Sequence, residues 1–129
     1  MAGTIDHFGF QVSDVPKLLA FYEPVLATLG IAKVMEIPEE AGFKGAGFGA
    51  NGKPDFWIWE GGKTAPHLHV AFAASSRAAV DAFHAAAIAA GASDNGPPGI
   101  RAHYHPNYYA AFVLDPDGHN IEACCHRAE

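Results

Sequence analysis

Pro66-His67-Leu68-His69-Val70-Ala71-Phe72, in the middle of the 129-residue chain, decides how the rest is read. The stretch alternates like a strand, with histidine on one face and bulky apolar groups on the other. A similar pattern stands near the start, in Asp6-His7-Phe8-Gly9-Phe10. One shift of 62 positions (69 − 7 = 62) carries His7 onto His69, Phe10 onto Phe72, Ser13 onto Ser75, Ala20 onto Ala82 and Phe21 onto Phe83. Self-similarity of this kind marks a repeated structural unit. It sets two histidines at equivalent points of two half-domains.

Working outward, Thr4–Ser13 reads as the first strand, with Phe8, Phe10 and Val12 on a helix-covered face and His7, Gly9 and Gln11 on a roomier one. Asp14 then caps a helix whose apolar stripe is Leu18, Phe21, Tyr22, Val25 and Leu29, and Gly30 stops it. Pro24 inside that helix predicts a kink around Ala20–Glu23, because proline removes a donor and clashes one turn back. Three strands follow, Ala32–Ile37, Phe43–Ala50 and Asp55–Glu60, separated by turn-forming residues.

Residues 61–66 read as a linker between a first module (about 1–61) and a second (about 67–129), within one domain spanning 1–129. The second module repeats the order. His67–Ala74 is a strand, Ser75 or Ser76 caps a helix with Val80, Phe83, Ala87 and Ala90 inward, and Gly91 lies near its end. The Gly- and Pro-rich segment Ala92–Arg101 is expected to be mostly loop with room for one short strand. Tyr108–Leu114 and Asn120–His126 are strands joined by the turn Asp115-Pro116-Asp117-Gly118. The expected fold is therefore α+β: tandem βαβββ modules forming a curved mixed sheet, or half-barrel, around a cleft.

Composition narrows the function. Half of the residues are hydrophobic, which suits a packed core. No apolar run reaches the ~20 residues of a membrane helix, and Met1-Ala2-Gly3-Thr4 shows no leader-like basic or apolar stretch. The net charge of −6, without a basic patch, argues against nucleic acid as a partner. Adjacent Cys124 and Cys125 suggest neither a disulfide framework nor a CxxC site, and a cytoplasmic location is expected.

The β-α-β-β-β tandem, the histidine in each module's first strand and the segment Asp115-Pro116-Asp117-Gly118-His119-Asn120-Ile121-Glu122 resemble the vicinal oxygen chelate superfamily. That group includes glyoxalase I, fosfomycin-resistance thiol transferases, extradiol dioxygenases and bleomycin-resistance proteins. The resemblance covers essentially the whole chain. It implies a divalent metal, Zn, Ni, Mn or Fe, held by His7, His69 and Glu122. Two histidines and a carboxylate leave coordination positions open for water and substrate, as a catalytic site requires. The glyoxalase I pattern adds a fourth ligand, a glutamate on the fourth strand. Here the offset of 62 pairs Glu60 with Glu122 (122 − 62 = 60), whereas strand parity turns Glu60 away and aims Trp57 and Trp59 into the cavity. Parity is the firmer guide, because one deletion in a loop undoes an offset. No segment matches the potassium-binding loop of the fosfomycin enzymes.

The resemblance thus implies a metal-dependent enzyme, of lyase, transferase or dioxygenase type, acting on a small substrate with two adjacent oxygens. The alternative is a metal-free binding protein of the bleomycin-resistance kind, with Trp57, Trp59, Tyr104 and Tyr108 stacked on a flat ligand. Arg101, His103, Tyr104 and His105 form a polar, aromatic loop suited to an anionic substrate, and Phe112 is a further substrate-contact candidate. His105 and Tyr104 are the candidates for acid–base catalysis. The resemblance also implies a homodimer.

Overall fold

A computed structural model describes residues 4–128, arranged as β1 (Phe8–Val12), α1 (Val15–Ala27), β2 (Ala32–Glu36), β3 (Gly45–Gly49), β4 (Phe56–Glu60), β5 (His69–Ala73), α2 (Arg77–Ala89), β6 (Ser93–Ile100), β7 (Tyr109–Leu114) and β8 (Asn120–Cys125). A 3-10 turn, Glu39–Ala41, lies between β2 and β3. The strands form two four-stranded sheets of identical topology, β1-β4-β3-β2 and β5-β8-β7-β6. In each, the first strand runs parallel to the fourth, and the remaining pairs are antiparallel. The expected α+β tandem is the observed one, and the break at residues 61–66 falls between the two sheets.

Local sequence accounts for the matching helices. Asp14 accepts a hydrogen bond from the Lys17 amide at 3.1 Å and Ser76 one from the Ala79 amide at 3.0 Å, which satisfies otherwise free donors of the first turns. Both helices stop in the same way. The Ile31 amide bonds Leu26 O and the Gly30 amide bonds Ala27 O; the Ala92 amide bonds Ala87 O and the Gly91 amide bonds Ile88 O. Gly30 and Gly91 take φ of 76° and 104°, which side chains resist. Helix α1 continues through Pro24. Pro24 and Ala20 are both exposed, so the carbonyl that loses its partner meets water.

Segment 92–101 departs from expectation in extent: a strand of eight residues, 93–100, fills a stretch expected to be mostly loop with one short strand. It is the sheet's outer strand, paired only with β7, and its register slips between Asp94 and Gly96 and again between Gly96 and Gly99. The slips carry Pro97 and Pro98 past the ladder. An edge strand tolerates prolines because one side needs no donors.

The core lies on the helix side. Phe10, Val12, Phe48, Phe56 and Ile58 from the first sheet, and Phe72, Val113, Ile121 and Ala123 from the second, meet the stripes of α1 and α2, which touch each other. Phe56 and Phe72 cross the module boundary edge to face, with ring centres 5.4 Å apart.

The turn before β8 ties the modules together. Asp117 accepts from the Ser13 amide (2.9 Å) and the Ser13 hydroxyl (2.5 Å). Asp115 Oδ2 accepts from the Tyr22 hydroxyl at 2.5 Å, while Oδ1 takes the amides of Asp117 and His119, each at 2.9 Å. His119 is fully buried. Its Nδ1 accepts from the Leu68 amide at 2.9 Å and its ring packs against Phe10. The segment that carries the resemblance is, physically, the clamp between the two modules.

Candidate metal centre and substrate cavity

Strand parity distributes the chemistry. In the second sheet the register pairs His69 with Asn120, Ala71 with Glu122 and Phe112 with Glu122. His69, Glu122, Phe112 and Cys124 therefore share the face opposite α2. His69 Nδ1 lies 3.1 Å from the Asn120 carbonyl oxygen. That oxygen can only accept, so Nδ1 carries a hydrogen and Nε2 is the nitrogen turned toward Glu122. Nε2 stands 3.1 Å from Glu122 Oε1. Glu122 is 2% exposed, and its other oxygen accepts from the Tyr108 hydroxyl at 2.5 Å. Burial, together with this bond to the carboxylate, pushes the Tyr108 phenol well above its usual range and keeps it a donor. A bare imidazole nitrogen facing a carboxylate oxygen repels it unless a cation lies between them, either a proton or a metal ion. Such a donor pair, each member held by an outer hydrogen bond, fits a divalent metal.

His7 precedes β1 on the open face of the first sheet, at the position equivalent to His69. Its Nδ1 is 2.7 Å from Asp6 Oδ2, which again leaves Nε2 free. Hydrogen bonds from His7 and Lys53 hold the Asp6 carboxyl below the ordinary range. His7 does not join the other two donors: among the described residues, no three His, Cys, Asp or Glu side chains of one chain form a metal-holding group. The set splits into a pair on the second sheet and a single histidine on the first.

A cavity of about 680 Å³ adjoins His7, lined by His7, Phe8, Gly9, Gln11, Ile37, Phe43, Trp57, Trp59 and Glu60, all from the first module. The sheet register settles the rival positions in β4. Gly9 pairs with Trp57 as Ala71 pairs with Glu122. The offset is 62 at the first strands (71 − 9) and 65 at the last (122 − 57), so Glu122 corresponds to Trp57 and not to Glu60. Glu60 lies opposite Val12, on the helix side, where it accepts the Lys44 amide at 3.0 Å.

The loop 101–107 is less free than its composition suggests. Arg101 donates to Gly99 O at 2.9 Å and to Pro97 O at 2.8 Å, and its guanidinium lies over Phe112, 5.3 Å from the ring centre. Phe112 in turn stacks beside His69, with centres 6.3 Å apart. Tyr104, 60% exposed, meets Tyr108 edge on and touches His103. His105 accepts the Asn107 amide at 3.0 Å and faces His126, which also packs on Tyr108. His126 closes an aromatic group beside Glu122. His67 stays exposed at the rim.

A family model for the glyoxalase/bleomycin resistance protein/dioxygenase superfamily matches residues 4–123. The chain belongs to that superfamily. A glyoxalase/bleomycin resistance protein of Albidiferax ferrireducens is similar to this superfamily member at 30% identity and a TM-score of 0.78, over 97% of this chain and 100% of that one. A glyoxylase/bleomycin resistance protein/dioxygenase domain from Frankia shares the fold at 18% identity and a TM-score of 0.71, over 98% of this chain and 100% of that one. So does a variant of the fosfomycin resistance protein FosX of Listeria monocytogenes, solved with Mn(II) and 1S,2S-dihydroxypropylphosphonic acid, at 21% identity and a TM-score of 0.69, over 96% of this chain and 90% of that one. No curated protein is significantly similar to the chain in sequence.

Proposed function

We propose that the protein is a metal-dependent enzyme whose centre is assembled from two copies of the chain: His7 from one, His69 and Glu122 from the other. The observation that carries this is the His69 Nε2–Glu122 Oε1 approach of 3.1 Å, between two side chains that are each held by an outer hydrogen bond and each turn one further atom toward a shared cation. The two modules have one topology, so the open face of a first sheet can meet the open face of a second sheet from another copy, as complementary halves do in a two-fold dimer. The separation of His7 from the pair, which alone would favour a metal-free binding protein, follows from that arrangement.

A bound divalent ion would supply Lewis acidity to two adjacent oxygens of a small substrate. The residues of the chain do the rest. Tyr108 fixes Glu122 through one oxygen and leaves the other for binding. Asp6 and the Asn120 carbonyl orient the two imidazoles. Trp57 and Trp59 wall the space beside His7 against water. Trp57 stands where a second carboxylate would complete the four-ligand set of an isomerase, so addition, group-transfer or oxygenase chemistry is the better fit.

Metal content of protein purified without added metal, compared across His7→Ala, His69→Ala and Glu122→Ala, tests the ligand set. Bound metal unchanged by all three would end the proposal. Mixing the His7→Ala and Glu122→Ala chains tests the assembly. A heterodimer then holds one intact centre of two, so random exchange restores about one quarter of the sites. No restoration after verified exchange would refute a shared centre.

A further inference from the structure

A chain of contacts crosses the open face of the second sheet and ends on His69. The strand order β5-β8-β7-β6 puts β8, with Glu122, between His69 of β5 and Phe112 of β7. Neighbouring strands lie about 4.8 Å apart, so the backbones of β5 and β7 stand about 10 Å from one another. The two rings nevertheless approach to 6.3 Å between centres, with planes 23° apart. Both lean inward across the strand that carries Glu122. The Asn120 carbonyl holds His69 Nδ1 from behind. One hydrogen bond fixes a point of the imidazole and leaves its plane free to turn; the stack removes that freedom.

What keeps Phe112 leaning lies on its other side. The Arg101 guanidinium covers the ring, 5.3 Å from its centre. It is pinned there, because Nη1 donates to Gly99 O at 2.9 Å and Nη2 to Pro97 O at 2.8 Å. Both acceptors lie in the stretch of β6 where the register slips. The same stretch leaves room for the cation. A Cβ added at Gly96 would stand 3.0 Å from Phe112 Cδ1 and 3.2 Å from Arg101 Nη2, and one added at Gly99 would stand 3.2 Å from Nη1. The irregularity of β6 thus forms a seat for one flat cation. A guanidinium can fork onto carbonyls in its own plane while its face covers an aromatic ring, and an ammonium cannot do both.

From this geometry we propose that Arg101 is a positioning residue: through Phe112 it sets the plane of the His69 imidazole, and with it the direction of Nε2. Arg101 and Phe112 then serve the centre from behind rather than by touching substrate. Only the consequence for metal binding rests on the proposed centre; the ring geometry stands without it.

The test follows the ring carbon–proton signals of His69 in chelator-treated protein at one fixed pH, with the buried His119 as the reference for an intact fold. Arg101→Ala should shift the His69 signals, as Phe112 swings away and takes its ring current with it, while the His119 signals hold. Arg101→Lys keeps the charge without the fork and should shift them as well. In a Phe112→Leu background Arg101→Ala should add nothing, because the link is already cut. Mn(II) titration reads the consequence. Arg101→Ala should weaken binding roughly three- to tenfold, a step below the 10–100-fold of a partner that touches the ligand directly. Unmoved His69 signals in folded Arg101→Ala protein, or an equal further shift in the Phe112→Leu background, would overturn the proposal. So would unchanged Mn(II) affinity beside moved signals. Failure of the wild type to bind Mn(II) would refute the centre alone, because the signals of the metal-free chain still decide what Arg101 positions.

Discussion

Replacing Tyr22 with phenylalanine removes one oxygen from the seam between the modules and nothing else. Tyr22 is fully buried and Asp115 is 4% exposed. The Tyr22 hydroxyl is the donor to Asp115 Oδ2, while the amides of Asp117 and His119 occupy Oδ1. The substitution opens no cavity larger than the lost oxygen, and it strands a buried carboxylate oxygen without a donor. A hydrogen bond to a charged group contributes about 1.5–3 kcal/mol. The expected loss is therefore about 2 kcal/mol, against a total of roughly 5–15 kcal/mol for a domain. Urea unfolding at one fixed protein concentration measures it, because any self-association would make apparent stability depend on concentration. A double-mutant cycle with Asp115→Asn should return a coupling of at least about 1 kcal/mol. A loss below about 0.5 kcal/mol in Tyr22→Phe, or independent effects of the two changes, would refute the clamp.

The same tyrosine sets a pH dependence. Burial first, and the Asp115 carboxylate second, hold its phenol well above the ordinary value. Unfolded tyrosine ionises near pH ~10, so the contribution of Tyr22 is complete below that value and is lost as pH rises above it, at no more than about 1.4 kcal/mol per pH unit. The stability gap between wild type and Tyr22→Phe should narrow above pH ~10; a gap constant to pH 11 would contradict the assignment. At the centre, Tyr108→Phe removes the bond that orients Glu122. Loss of an outer partner of this kind typically costs 10–100-fold in metal affinity, measurable by Mn(II) titration; unchanged affinity would show that Glu122 needs no such support.

Much of this architecture is legible in the chain because its signals are local. Asp14, Ser76, Gly30 and Gly91 act within a few residues of themselves, and their roles follow from residue type and position. Strand parity likewise separates His69 and Glu122 from Val70 and Ile121. What resisted reading depends on distant partners. The acids of the Asp115–Gly118 turn look like turn formers, yet they bind Ser13 and Tyr22, 104 and 93 residues away. The prolines of β6 argue against a strand until its place at the sheet edge is known. Glu60 and Trp57 compete for one position until pairing reveals three extra residues between the strands of the second module. That His7 lies apart from His69 and Glu122 emerges only from the arrangement of whole sheets.

The fit of the Trp57 indole against Gly47 of β3 sets how readily the cavity beside His7 can be retuned. At Gly47 an added methyl would meet Pro54 Cβ and the far edge of the Trp57 ring, at 2.8 and 2.9 Å, rather than main chain. The indole can yield at its far edge, but Pro54 Cβ is held in a ring, so the turn before β4 must shift with it. A single small substitution there would tilt one indole and change the ligand outline, yet leave every donor of the candidate centre in place. Adaptation to new ligands has a route through positions that carry no chemistry of their own.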